Sequence, residues 1–192
     1  MIYLGIDTSG DHDILTPYVV SITYSDNSPS IEESILGNAY KEIKKSLGNY
    51  ILHATNDSEK VRRFVVETLY KYDVRSYIIV VMDRDRVKKD LIKVMKSLVS
   101  RDSFAVYDNS VFDNVIKKVV KKAFKVSLSR KDSMTIPLQL ADYFSYYWWG
   151  LFSGKMKDYS SLEKVMNLTT KVRVLGKEKE TEFTQVTALA RP

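Results

Sequence analysis

The sequence predicts an α/β domain on a mixed sheet, with antiparallel N-terminal strands, then parallel strands, flanked by helices. Three observations carry that expectation. Short apolar runs rich in β-branched residues stop abruptly at Asp or at turn residues, most clearly at 2–6 and 77–82. Between the later runs, apolar residues recur at helical spacing. A strand that reaches the next strand through a helix runs parallel to it. Strands first, then strand and helix in alternation, describe a sheet with helices packed on it.

Residues 2–6 (Ile-Tyr-Leu-Gly-Ile) read as a buried strand running into the turn Asp7-Thr8-Ser9-Gly10. Residues 17–24 give a second strand on Val19, Val20, Ile22 and Tyr24, closed by Asp26-Asn27-Ser28-Pro29. A third strand is expected over 31–36, then a short helix over 38–47 closed by Gly48. Asn56 with Glu59 three residues on has the form of a capping box. It opens a helix with Val61, Phe64, Val65, Leu69 and Tyr72 on its apolar face. The run 77–82 is apolar throughout, as in an interior strand. Val87, Leu91, Val94, Met95 and Leu98 then mark a helix. Residues 104–107 form a strand ending at Asp108, and a helix from Ser110 carries Phe112, Val115, Ile116, Val119 and Val120. The last strand of the sheet falls at 126–128. Pro137 opens a helix over 138–152, and 172–186 alternate around Gly176-Lys177 as a terminal hairpin.

A length of 192 residues fits one domain over 1–170, with 171–192 as a hairpin or extension of it. The absence of Cys excludes a disulfide scaffold, thiolate metal sites and thiol catalysis. Residues 1–24 lack the pattern of a signal peptide, and the apolar stretch 143–152 is too short to span a bilayer. A cytoplasmic protein without membrane contact is expected. The net charge of +6 permits a polyanionic partner. Lys117, Lys118, Lys121, Lys122 and Lys125 cluster, as do Arg84, Arg86, Lys88 and Lys89; these are solvated helix faces or a track for phosphates.

Two expected strands end in a carboxylate, Asp7 and Asp108, and Asp142 lies inside the aromatic helix. An unpaired buried carboxylate is costly, so Asp142 belongs at the rim of the packed face or in a cleft with a cation. Helical spacing puts Leu138, Ser145, Tyr146 and Trp149 on its face, and Leu140, Ala141, Phe144, Tyr147, Trp148 and Leu151 on the core stripe. Where such acids converge, their repulsion calls for a hard cation, Mg²⁺ or Mn²⁺. Asp7, Ser9, Asp11 and Asp13 alternate like calcium-loop ligands, but the Gly is misplaced and no Glu closes the loop. There is no Walker loop, no Gly-x-Gly-x-x-Gly and no His-Glu-x-x-His.

The segments Tyr3-Leu4-Gly5-Ile6-Asp7-Thr8-Ser9-Gly10 and Leu138-Gln139-Leu140-Ala141-Asp142-Tyr143 resemble the two signature segments of the family called domain of unknown function 3800. Leu52-His53, Asp108 and Arg130-Lys131-Asp132-Ser133 match further pieces, so the resemblance is spread over 2–152. It implies the ribonuclease H-like superfamily and a metal-dependent nuclease site. Asp7, Asp108 and Asp142 would then bind Mg²⁺ or Mn²⁺, with His53 assisting in proton transfer or product release. Ser9, Arg130, Lys131, Ser133 and Gln139 would bind the substrate. Two positions depart from the family: Thr8 stands where it has Glu, and Ile51 where an acid often precedes Leu-His. Asp83 and Asp11 are the available replacements.

The expected function is hydrolysis of phosphodiester bonds in nucleic acid by a carboxylate-bound divalent metal. The competing expectation is a catalytically inactive nucleic-acid-binding or protein-interaction module on the same fold. His53 taken alone is either a structural histidine or a catalytic group. Tyr143, Phe144, Tyr146, Tyr147, Trp148 and Trp149 ring the helix. They imply burial on two sides, a homodimer through 138–152, or stacking of bases on Tyr146 or Trp149.

Overall fold

Side-chain alternation along β1 (Ile2–Ser9) sets the architecture of the computed structural model. Leu4 and Ile6 enter the apolar cluster on one face of the sheet, while Gly5 and Asp7 meet a helix on the other. The structure describes residues 1–10, 17–83, 93–97, 103–107, 125–128, 136–176 and 180–184. The further strands are β2 (Tyr18–Tyr24), β3 (Arg75–Val81), β4 (Ser103–Tyr107), β5 (Lys125–Leu128), β6 (Thr169–Leu175) and β7 (Glu180–Thr184). Among the described residues they form one seven-stranded sheet in the order β5-β4-β1-β2-β3-β6-β7. The first three strands are an antiparallel meander, β4 is parallel to β1, and β5 is parallel to β4. On the other side β6 runs parallel to β3, and β7 returns antiparallel to β6.

Among the described residues four helices cover one face: α1 (Ile35–Leu47), α2 (Glu59–Lys71), α3 (Ile136–Phe152) and α4 (Tyr159–Asn167). Their apolar residues join Val19, Ile78, Val80 and Val172 of the sheet in one buried cluster. The opposite face gathers Leu4, Ile6, Tyr18, Val20, Ile22, Ile79 and Val81 around Val94 and Met95 of the helical residues 93–97. Among the described residues no helix is long and apolar enough to cross a membrane.

Several elements differ from the sequence expectation. The strand expected over 31–36 is a turn followed by the start of α1, because Ser34 caps that helix by accepting from the Gly37 amide at 3.3 Å. The turn lies so close to α1 that a Cβ on Gly37 would stand 2.3 Å from the Ile31 carbonyl oxygen. Ser58, not Asn56, caps α2, accepting from the Val61 amide at 3.3 Å. Helix α4 was not expected; Asp158 caps it by accepting from Ser161 N at 3.2 Å and Ser161 Oγ at 2.7 Å. The terminal hairpin begins earlier than expected, at Thr169, and β6 joins the main sheet beside β3. Residues 93–97 are helical as expected, whereas the helix expected from Ser110 lies outside the described residues.

Helix α3 is sunk into the fold. Tyr143, Phe144, Tyr147 and Trp148 are all buried against this chain's own sheet and helices, so their covering comes from within the chain. Leu151, expected on the core stripe, is instead 37% exposed at the helix's last turn.

Candidate active site

The close approach of α3 to β1 builds the site, and a glycine permits it. A Cβ on Gly5 would lie 2.0 Å from the Pro137 carbonyl oxygen, so only a residue without one lets the helix cross the strand here. Two serines then fix the register. Ser21 Oγ on β2 donates to the Ala141 carbonyl at 2.8 Å. Ser145 Oγ lies 2.7 Å from Asp7 Oδ2, 3.0 Å from Ser9 Oγ and 3.0 Å from the Asp142 carbonyl oxygen. One hydroxyl thus ties the end of β1 to the turn of α3 that carries Asp142. Asp7 is 9% exposed.

The second wall is the loop 50–57, held by three α3 residues. Gln139 Oε1 accepts from the Leu52 amide at 3.0 Å, and Asp142 Oδ2 accepts from the Ala54 amide at 2.8 Å. Tyr143 donates its hydroxyl hydrogen to buried Asp57. Asp57 also accepts from Tyr50 Oη at 2.6 Å and from the His53 amide at 3.2 Å. Arg62 closes the loop from α2, donating to the carbonyls of Ala54 (3.0 Å) and Asp57. The result places His53 Nδ1 3.4 Å from Asp142 Oδ2, with the imidazole side chain 50% exposed and the carboxylate side chain 16% exposed. Asp142 therefore sits at the rim of the packed face.

Burial, and secondly the Asp57 carboxylate, push the Tyr143 hydroxyl far above the ordinary tyrosine range, so it remains a donor. Tyr50 is raised chiefly by its own bond to Asp57. Asp57 thus takes three donors that an amide cannot all satisfy. Asp57→Asn is expected to destabilise the fold by about 2–3 kcal/mol, because donors in a buried network lose their acceptor. Thermal unfolding checks this as a fall in Tm of roughly 5–10 °C.

Asp7, Ser9, Asp142 and His53 lie near one end of β1, linked through Ser145 and the His53–Asp142 contact. Gln139, expected to bind substrate, is 1% exposed and anchors the loop, its amide bonding Leu52 and Tyr40. Asp83, a possible replacement ligand, is not brought to Asp7. Asp7 is level with Ser21 and, across β2, with Ile78. Asp83 lies five residues further along and two strands over, about 10 Å sideways alone. Asp11, Asp108, Arg130, Lys131 and Ser133 lie outside the described residues. Tyr107, which immediately precedes Asp108, pairs with Ile6, which immediately precedes Asp7. Alternation sends Thr8 to the face opposite Asp7. Sequence reasoning missed the roles of Asp57 and Ser145; for Ser145 the i+3 spacing from Asp142 was a usable signal.

The two carboxylates and two serine hydroxyls gathered here offer oxygen donors, the chemistry a hard divalent cation prefers, beside the His53 imidazole. Among the described residues no three His, Asp or Glu side chains group as a metal site.

Comparison with solved structures identifies the fold. The chain is similar to RNase HII of Archaeoglobus fulgidus in its complex with PCNA, with a TM-score of 0.54 and 12% identity over 84% of this chain and 79% of that one. It is also similar to ribonuclease H2 of Pyrococcus horikoshii OT3, with a TM-score of 0.52 and 14% identity over 84% of this chain and 78% of that one. The fold is thus the ribonuclease H-like α/β fold. No family model and no curated protein matches the sequence. The likeness to domain of unknown function 3800 accordingly rests on the sequence segments alone.

Proposed function

We propose that this protein is a metal-dependent nuclease whose centre is built on Asp7 and Asp142. The observation that carries this reading is Ser145, which ties buried Asp7 to the Asp142 turn at the end of the first strand of a ribonuclease H-like sheet. Both structural neighbours are ribonucleases, which supports a nucleic-acid phosphodiester as the substrate class. Asp7 and Asp142 would hold Mg²⁺ or Mn²⁺, with Asp108 as the third acid. When bound, such an ion activates water and stabilises the oxygen that leaves phosphorus.

The chain's own groups then have separate tasks. Ala54 N and Ser145 Oγ orient the two carboxylates. His53 rests Nδ1 against Asp142 at the exposed rim, leaving Nε2 to exchange a proton with the departing oxygen. Ser9 Oγ contributes a hydroxyl beside Asp7, and Arg130, Lys131 and Ser133 would steady the phosphate. The alternative, an inactive nucleic-acid-binding module, draws on Thr8, which replaces a carboxylate of the resembling family and faces away from Asp7.

Thermal unfolding separates the two without choosing a substrate. Mn²⁺ at about 100 times its Kd stabilises a folded protein by roughly 2.7 kcal/mol, a rise in Tm of about 5–10 °C here. The rise is expected in wild type and not in Asp142→Asn. Unchanged Tm in wild type, with and without a short oligonucleotide, would overturn the nuclease reading.

A further inference from the structure

One turn beyond Asp142, α3 and α2 border a cleft of about 330 Å³ whose lining includes Arg62, Tyr146, Lys155 and Lys157 together with Glu59 and Asp158. The two acids are already engaged. Arg63 lies 2.6 Å from Glu59 and 3.3 Å from Asp158, and Ser161 donates to Asp158 from both N and Oγ. The cations have no carboxylate partner: among the described residues no ion pair joins Arg62, Lys155 or Lys157 to an acid.

Two of these cations are held over aromatic rings instead. The Arg62 guanidinium is 5.2 Å from the Tyr146 ring centre, and Lys155 Nζ is 4.8 Å from that of Trp149. A cation over a ring face is fixed in place yet keeps its charge for an anion. The same contacts occupy one face of each ring that the sequence offered for stacking bases, and the cations beside them suit a phosphate. Arg62 is further fixed by the carbonyl of Ala54, whose amide holds Asp142, so the cleft and the acid centre share one support.

We propose that this cleft binds a backbone phosphate of the nucleic-acid strand whose reacting bond lies at Asp7 and Asp142. The charge argument stands alone; the choice of a strand phosphate rests on the nuclease reading. Tyr146 is four residues past Asp142, about 6 Å along the helix.

The test is binding of a labelled single-stranded 12-mer to the full chain in EDTA across a salt series. Lys155 and Lys157 are exposed, so the double variant Lys155→Ala, Lys157→Ala should fold normally, which circular dichroism verifies. It is expected to bind roughly tenfold or more weakly at 0.1 M salt and to lower the log–log salt slope by about 0.7, one phosphate's worth. Unchanged affinity and slope would overturn the proposal. Inorganic phosphate at matched ionic strength distinguishes the anion's source. Failure to displace the 12-mer supports a strand phosphate, whereas full displacement at millimolar concentration would assign the cleft to free phosphate and overturn the strand. Cleavage in Mn²⁺ is scored separately. Cleavage by wild type with unchanged binding by the double variant removes the cleft alone; weakened binding without wild-type cleavage removes the nuclease reading alone.

Discussion

Asp142→Asn is expected to lower metal-dependent cleavage of nucleic acid by at least about 100-fold while leaving the fold in place. The two halves of that result have different causes. An asparagine keeps a side-chain oxygen to accept the Ala54 amide, so the loop 50–57 stays attached to α3. What it removes is the negative charge that holds a hard cation. Loss of a group that merely orients a metal ligand costs about 10–100-fold, and loss of the ligand itself should exceed that. Asp7→Asn should behave alike, since its amide oxygen still accepts from Ser145. Initial rates on a labelled oligonucleotide with Mn²⁺, compared with circular dichroism of the same samples, provide the check. Either variant cleaving at the wild-type rate would remove Asp7 and Asp142 from the chemistry.

Gly5→Ala is expected to be the most damaging small substitution in the sheet. The added methyl would fall 2.0 Å from the Pro137 carbonyl oxygen, 2.2 Å from its carbon and 2.8 Å from Leu138 N. These are backbone atoms at the start of α3, and no side-chain rotation relieves the overlap. Overpacking of a core typically costs about 1–3 kcal/mol, and a clash with backbone belongs at or above the upper end. Tm should fall by roughly 6–12 °C. Because α3 must lift from β1, the Ser145 link between Asp7 and Asp142 should loosen as well, so Mn²⁺ should stabilise this variant less than wild type. An alanine variant with wild-type Tm would show that the helix and strand tolerate separation.

The strands at 2–6, 17–24, 77–82 and 104–107 were legible because apolar β-branched runs have few alternatives once they are bounded by Asp, Gly and Pro. Helix α3 was legible from Pro137 onward, and its Asp142 stood out because a carboxylate among aromatics needs a reason to be there. The false strand at 31–36 shows the limit of that reasoning. Ile31, Ile35 and Leu36 suit a strand by type, but a serine hydroxyl at position 34 captured the Gly37 amide and began a helix.

What the sequence determined by itself was local: which segments are strands, which helix carries an acid, and which residue types can do chemistry with a hard cation. The joining of Asp7 to Asp142, 135 residues apart in the chain, was decided by the tertiary structure. So were the parallel pairing of β4 with β1 and the bond from the Leu52 amide to Gln139, which anchors the loop. Asp57 shows why. Its neighbours in sequence give no sign that two tyrosine hydroxyls will meet on it, because that contact exists only once α3 has crossed the sheet and the loop has closed over it. Periodicity reports the face a residue presents; only packing decides what that face touches.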